Sequence, residues 1–251
     1  PATFLDGRIQ ARYKDKAYRS RSMSSFSIEA AADALFSVSG QQQAQRENIA
    51  NGALVNGTKL YSNKKYDEAI KEFKRAISLA PYSANSVDSY NFMAVTYLKL
   101  NKPEEAIKAY KSSISLDPYR DDTHMKLGNV YMSQERYAEA ESEFKSAIKL
   151  KPSSTGNIYT LGQLYIKSGR YDEAENQFNK FINIAPRKAD GYYGLGLTYS
   201  KDGRHEEAIK QFKEAISIDG DFKYAYADLG YAYADSGQID EAKMQVDILK
   251  T

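Results

Sequence analysis

A chain of 251 residues with 42% hydrophobic and 27% charged residues has the composition of a folded protein, not of a disordered tract. The absence of cysteine excludes disulfides, thiolate metal sites and a cysteine nucleophile. A formal net charge of +2 excludes a strongly polyanionic or polycationic body, and no apolar run approaches the ~18 residues of a membrane span.

Taken from the N-terminus, residues 1–22 form a basic segment. Arg8, Arg12, Lys14, Lys16, Arg19 and Arg21 stand against Asp6 and Asp15, which leaves 29 basic and 31 acidic groups in residues 23–251. Pro1 stands where an initiator Met would, and no signal-like apolar stretch succeeds it. Met23-Ser24-Ser25 reads as a native start, which would make residues 1–22 a mobile or fused addition. Tyr13 and Tyr18 among the basic groups offer stacking surface for nucleic acid, a weaker reading than a solvated tail. A third reading lays this segment on the acidic body.

Residues 23–49 are expected to cap the body that begins at residue 50. Ser27 is placed to cap a helix with the apolar stripe Ile28, Ala31, Leu35 and Phe36, and a second helix runs from Gln41 to about Ala50. The pair either shields the open end of the next element or offers a detachable amphipathic helix to a partner.

From residue 50 onward the chain repeats. Ala69, Ala106, Ala140, Ala174, Ala208 and Ala242 recur at intervals of 37 and then four times 34 residues. Four residues after each alanine stands a large side chain: Phe73, Tyr110, Phe144, Phe178, Phe212 and Val246. Twelve residues after it stands a helix stop, at Pro81, Pro118, Pro152, Pro186 and Gly220. Before it come Leu127-Gly128, Leu161-Gly162, Leu195-Gly196 and Leu229-Gly230, with Tyr131, Tyr165, Tyr199 and Tyr233 after them. Small residues let two helix backbones approach closely, and the Leu and Tyr side chains fill the grooves beside them. Asn101, Gly169, Gly203 and Gly237 sit where a left-handed residue ends the first helix. Acidic pairs such as Asp67-Glu68 and Asp172-Glu173 open the second helix, at the positive end of its dipole. Each unit therefore reads as helix, tight turn, helix, stop.

This pattern resembles the tetratricopeptide repeat family over about four fifths of the chain. The repeats are 50–83, 87–120, 121–154, 155–188, 189–222 and an incomplete 223–251, with 84–86 inserted after the first. The resemblance implies an all-α fold, a right-handed α-solenoid of stacked helix-turn-helix repeats. Phe181 replaces the usual small residue of the second helix, which predicts looser or shifted packing there. The sixth repeat lacks the polar capping helix a terminal repeat needs, which implies either a chain cut short of that helix or a partner on that face. Separately, Gln43–Asn51 is similar, over nine residues, to the N-terminal helix of bacterial flagellar rod and hook proteins.

The family resemblance also implies that the first helices line a concave, peptide-binding groove. Its expected wall comprises Asn91, Val95 and Lys99; Met125, Asn129 and Met132; Tyr159, Gln163 and Lys167; Tyr193, Leu197 and Lys201; and Tyr231, with Asp235 beyond. Asn129 and Gln163 can serve a peptide backbone, while the methionines and tyrosines offer apolar and aromatic surface that packing between repeats does not require. Lys126 and Asn129 only partly match the family's carboxylate-clamping subgroup, whose preceding Lys and Asn are missing.

Catalytic chemistry finds no support. His124 and His205 occupy positions that carry large packing side chains in other repeats, and neither has metal-ligand spacing. Gly194-Leu195-Gly196 lies in a helix after no strand, so it is not a phosphate loop. The expectation is a non-enzymatic scaffold or adaptor with no cofactor and no metal, binding another protein's peptide or helix in the groove. The alternatives are a self-assembling subunit, motility- or envelope-associated and joined through the N-terminal segment or the last repeat, and a nucleic-acid binder acting through residues 1–22. A cytoplasmic location is expected, or a periplasmic one if a leader has been removed.

Overall fold

A computed structural model describes residues 25–249, so the basic segment and the Met23 start lie outside the described residues. Among the described residues the protein is all-α, with twelve helices and no strand. They are α1 (Ser25–Ser62), α2 (Tyr66–Leu79), α3 (Ala84–Lys99), α4 (Pro103–Leu116), α5 (Asp121–Ser133) and α6 (Tyr137–Leu150). After them come α7 (Thr155–Lys167), α8 (Tyr171–Ile184), α9 (Ala189–Lys201), α10 (His205–Ile218), α11 (Lys223–Asp235) and α12 (Ile239–Leu249). The chain divides into two compact units, the first ending at Asn101 and the second beginning at Lys102.

In the first unit, α1 corrects the expected pair of N-terminal helices. Residues 25–62 form one helix, and Ser27 lies inside it rather than capping it. Gly40 does not interrupt it, because a helical glycine costs only about 1 kcal/mol and the good helix formers Gln41, Gln42, Gln43 and Ala44 come directly after it. The side chains of the expected stripe fall outside the described residues. The inserted residues 84–86 do not form a loop either; they add a turn to α3, making it 16 residues long against 13 for the later first helices. The Ser83 hydroxyl accepts from the Ser86 amide at its N-cap. The Ser86 hydroxyl donates to the Ala80 carbonyl at 2.6 Å, and Asn85 Nδ2 donates to the Glu47 carbonyl at 3.4 Å. The extra turn thus fastens the start of α3 to both α1 and the end of α2.

In the second unit, α5 to α12 form consecutive hairpins, each packed on the next. The repeating alanines and the aromatic four residues later are the core: Ala140, Phe144, Ala174, Phe178, Ala208 and Phe212 are fully buried. Each buried phenylalanine contributes about 1.5–3 kcal/mol from area removed from water. Its ring lies on a glycine of the preceding helix, and a Cβ at Gly128, Gly162 or Gly196 would sit 2.5–2.7 Å from a ring carbon. Gly194 and Gly196 face different rings, Phe178 on α8 and Phe212 on α10, which accounts for the Gly-Leu-Gly triplet in α9.

The turn within each hairpin uses a left-handed residue. Asn101, Gly169, Gly203 and Gly237 have φ of +56°, +73°, +80° and +82°, as their sequence positions indicate. Lys64 and Glu135 occupy the same conformation in the first and third repeats, at φ +61° and +60°, and their residue types give no sign of it.

The looser packing expected around Phe181 does not occur. Phe181 is 3% exposed, and its ring faces Gly191 on α9. That position holds Thr123, Asn157 and Ala225 in neighbouring repeats. A large residue on one helix is matched by the smallest on the next.

Candidate functional site

In the second unit, α7 touches α9 and α9 touches α11, whereas no two successive second helices come as close. The first helices therefore line the more tightly curved face of this unit. Tyr159, Gln163, Lys167, Tyr193, Leu197, Lys201 and Tyr231 lie on these three touching helices, and Met125, Asn129 and Met132 on α5 of the repeat before them. Asn129, Lys167, Lys201 and Tyr231 are exposed; Met125, Met132, Tyr159, Gln163, Tyr193 and Leu197 are half-buried. Among the described residues the Asn129 amide has no hydrogen-bond partner, and neither Lys167 nor Lys201 has an ion-pair partner. In the first unit Val95 is half-buried and Lys99 exposed, but Asn91 is buried within α3, which removes it as a groove residue. Met125, Tyr159 and Tyr193, at the same position of later repeats, are half-buried.

The two central tyrosines do more than line the face, contrary to the expectation that packing has no need of them. The Tyr159 ring meets Phe178 edge-on at 5.4 Å and Phe181 at 6.1 Å. Burial pushes its phenol up, the Asp190 charge adds to that, and a hydrogen bond with Gln163 opposes it. The Tyr193 ring lies against Phe222 at 4.8 Å and Phe212 at 5.9 Å. Its hydroxyl donates to Asp228 Oδ2 at 2.7 Å. Burial, followed by this carboxylate, raises the Tyr193 phenol well above its ordinary range. Tyr159 thus packs within its own hairpin, whereas Tyr193 also ties α9 to α11 of the next repeat through Asp228, and both stay half-buried.

A second set of residues, missed in the sequence, forms a ladder between repeats. The Tyr165 hydroxyl donates to Glu141 Oε1 at 2.9 Å, while the Arg170 guanidinium lies 4.5 Å over the Tyr165 ring and donates to Glu141 and Glu173. One repeat on, Tyr199 donates to Glu175 at 2.9 Å under Arg204, which also reaches Glu207. A signal exists: Arg136, Arg170 and Arg204 recur every 34 residues, five after the repeating tyrosine. Burial works to raise the Glu141 carboxyl, but hydrogen bonds from Arg170, Lys145 and Tyr165 overcome it and hold the group at about 2.

The remaining chemistry is sparse. His124 is buried, with Nδ1 2.6 Å from Glu143 and Nε2 3.2 Å from the Pro118 carbonyl, a packing position with two polar ties. His205 Nδ1 is buried without a partner among the described residues. No group of three or more potential metal ligands is assembled among the described residues. No helix among them is long and apolar enough to cross a membrane. In the first unit a cleft of about 630 Å³ lies between Gln42, Gln43 and Arg46 of α1 and the turn around Pro81 and Tyr82.

Helix hairpins of fixed length, stacked through Gly–Phe seats, define a helical repeat protein of the kind that presents an extended binding face. The profile described as tetratricopeptide repeat matches residues 54–118 and 154–221, and a second profile of that description matches 199–248. The chain belongs to the tetratricopeptide repeat family. A profile described as anaphase-promoting complex, cyclosome, subunit 3 matches residues 114–181. No match is found among the curated proteins. Among solved structures the chain is similar to MamA, with a TM-score of 0.59 at 25% identity over 72% of this chain and 93% of that one. A tetratricopeptide repeat protein from Parabacteroides merdae gives a TM-score of 0.70 at 16% identity, over 80% of this chain and 78% of that one. YrrB, a TPR protein with an unusual peptide-binding site, gives 0.56 at 23% identity, over 72% and 88% respectively.

Proposed function

We propose that the chain is a non-enzymatic scaffold that holds an extended or helical segment of another protein on the first-helix face of its second unit. The observation that carries this reading is the unused chemistry on that face. Asn129, Lys167 and Lys201 project from three adjacent first helices without partners among the described residues, on the same face as the half-buried Tyr159 and Tyr193. Amide and ammonium donors on the same face as half-buried tyrosines can serve a peptide's carbonyls, carboxylates and apolar side chains. The test is selection of peptides from a displayed library on the purified chain, repeated on Asn129→Ala/Leu197→Ala/Lys201→Ala. Binders that lose about tenfold or more in affinity on the variant support the reading. Binders indifferent to all three changes would sink it.

A second reading, self-association, rests on α12. Met244 and Ile248, one turn apart, are 63% and 44% exposed. The five earlier repeats carry Lys71, Lys108, Ser142, Asn176 and Lys210 at the first position, and Arg75, Ser112, Ser146, Lys180 and Glu214 at the second. This apolar pair would be covered by a second copy. Light scattering of the chain at high concentration should then show a dimer or larger species that Met244→Lys/Ile248→Glu returns to monomer. A monomer at all concentrations removes this reading.

A further inference from the structure

Helix α11 carries a pattern that no other first helix has. Tyr224, Asp228, Tyr231 and Asp235 are spaced i, i+4, i+7 and i+11, which places them in one stripe with carboxylate and phenol alternating. At the same four positions α9 has Asp190, Gly194, Leu197 and Lys201, and α7 has Gly156, Thr160, Gln163 and Lys167. Tyr224 and Tyr231 are 72% and 70% exposed, far above what tyrosines in the packing positions show. Asp235 is exposed, and Asp228 is half-buried with one oxygen taken by the Tyr193 hydroxyl. The surroundings share the sign: from residue 223 to residue 249 two lysines stand against five acidic residues.

We infer that this stripe is the docking surface for a basic helical segment of a partner protein, whose Arg or Lys side chains at i, i+4 and i+7 insert between the two phenol rings. The argument is charge complementarity combined with ring faces. A guanidinium between Tyr224 and Tyr231 gains cation–π contact on both sides and a carboxylate in the middle. An acidic or neutral segment gains neither. Lys201 occupies on α9 the position of Asp235 on α11, and the two carboxylates of the stripe outnumber it. The inference rests on the scaffold reading above and names the partner's chemistry for the C-terminal end of the same face.

The experiment measures binding of two alanine-based helical peptides of about 18 residues, long enough to be helical in isolation. One carries arginines at i, i+4 and i+7; the other carries glutamates there. Titrations use the full chain, then Tyr224→Ala/Tyr231→Ala and Asp228→Asn/Asp235→Asn, with thermal melts checking that each variant is folded at the titration temperature, since Asp228 also accepts from Tyr193. The arginine peptide is expected to bind the unaltered chain, to weaken as salt rises, and to lose about tenfold in affinity on either variant. Loss on the charge-neutral tyrosine variant is the decisive result, since bulk attraction alone would not produce it. Equal binding of the arginine peptide to the tyrosine variant overturns the inference. A preference for the glutamate peptide, or library binders lost only on the Asn129→Ala/Leu197→Ala/Lys201→Ala variant, overturns it while leaving the scaffold reading intact.

Discussion

The ring of Phe181 at the end of α8 fills the space left by the missing side chain of Gly191 on α9. A Cβ at Gly191 would come within 2.6 Å of Phe181 Cδ1 and 2.9 Å of Ile182 Cγ1. Gly191→Ala should therefore destabilise the second unit by about 1–3 kcal/mol through overpacking. Phe181→Ala should cost about 3–5 kcal/mol by opening a cavity. The double variant recreates the alanine pair found one repeat later, where Ala215 and Ala225 share a core cluster. It should be more stable than the sum of the single effects by about 1 kcal/mol or more. Denaturant titration of all four proteins measures the coupling, and simple additivity would refute the size match.

Two of the six left-handed turn residues are poorly suited to their conformation. Lys64 and Glu135 hold φ near +60° with a Cβ present. Lys64→Gly and Glu135→Gly should each raise stability by about 0.5–1 kcal/mol. Gly169→Ala, where φ is +73°, should lower it by a similar amount. Thermal melts with the sign opposite to these would show that the turn tolerates side chains without strain.

Glu141 sets an acid limit. Its carboxyl is held at about 2 when folded, against 4.5 in the unfolded chain. The depressed value stabilises the fold fully above the unfolded pKa, and that stabilisation is lost as pH falls from there toward 2. Solvent screening at the Arg170 and Lys145 partners limits the contribution to about 1–2 kcal/mol. Glu141→Gln should therefore lower the urea midpoint at neutral pH and leave it nearly unchanged near pH 2. An equal difference at both pH values would contradict the linkage.

Tyr193 should be separable into a packing part and a polar part. Tyr193→Phe keeps the ring against Phe212 and Phe222 but removes the donor to Asp228. It should cost about 1–2 kcal/mol in a urea titration. It should also remove one late-titrating phenol from the ultraviolet alkaline titration, because burial and Asp228 both hold that proton on. A titration curve identical to that of the unaltered chain would show the raised phenol belongs elsewhere.

Legibility in the sequence differs from feature to feature because each depends on different residues. The repeat, its turns and its Gly–Phe seats depend on residues at fixed intervals, so Ala174, Phe178 and Gly162 declare themselves. Phe181 declares only half of its packing, because the compensation sits ten residues later on another helix, at a position that varies from repeat to repeat. Asn91 is buried although Met125, Tyr159 and Tyr193 share its position in the repeat, so that position does not fix depth. Tyr159 and Tyr193 read as face residues and are half-buried there, yet their rings also pack on phenylalanines of their own hairpins. Helical spacing says which side a residue takes, not how deep a neighbour's phenylalanine reaches. The arginine ladder is legible by period but not by meaning, since its partners Glu141 and Glu175 have no counterparts at Ile107 and Ile209.

That uneven ladder has a mechanical consequence. The rungs through Tyr165–Arg170 and Tyr199–Arg204 bind three consecutive repeats, whereas the last hairpin has no arginine rung and is held to its neighbour by the Tyr193 hydroxyl donating to Asp228 at 2.7 Å, by Gln238 Nε2 donating to Glu206 at 2.8 Å and by Lys213 over the Tyr233 ring. Pulled from its C-terminus, the second unit should lengthen in steps, with the final hairpin peeling first at low force. Each released repeat would add roughly 110–120 Å of slack chain. The central hairpins would then hold until a rung fails, giving a stiff middle behind a yielding end.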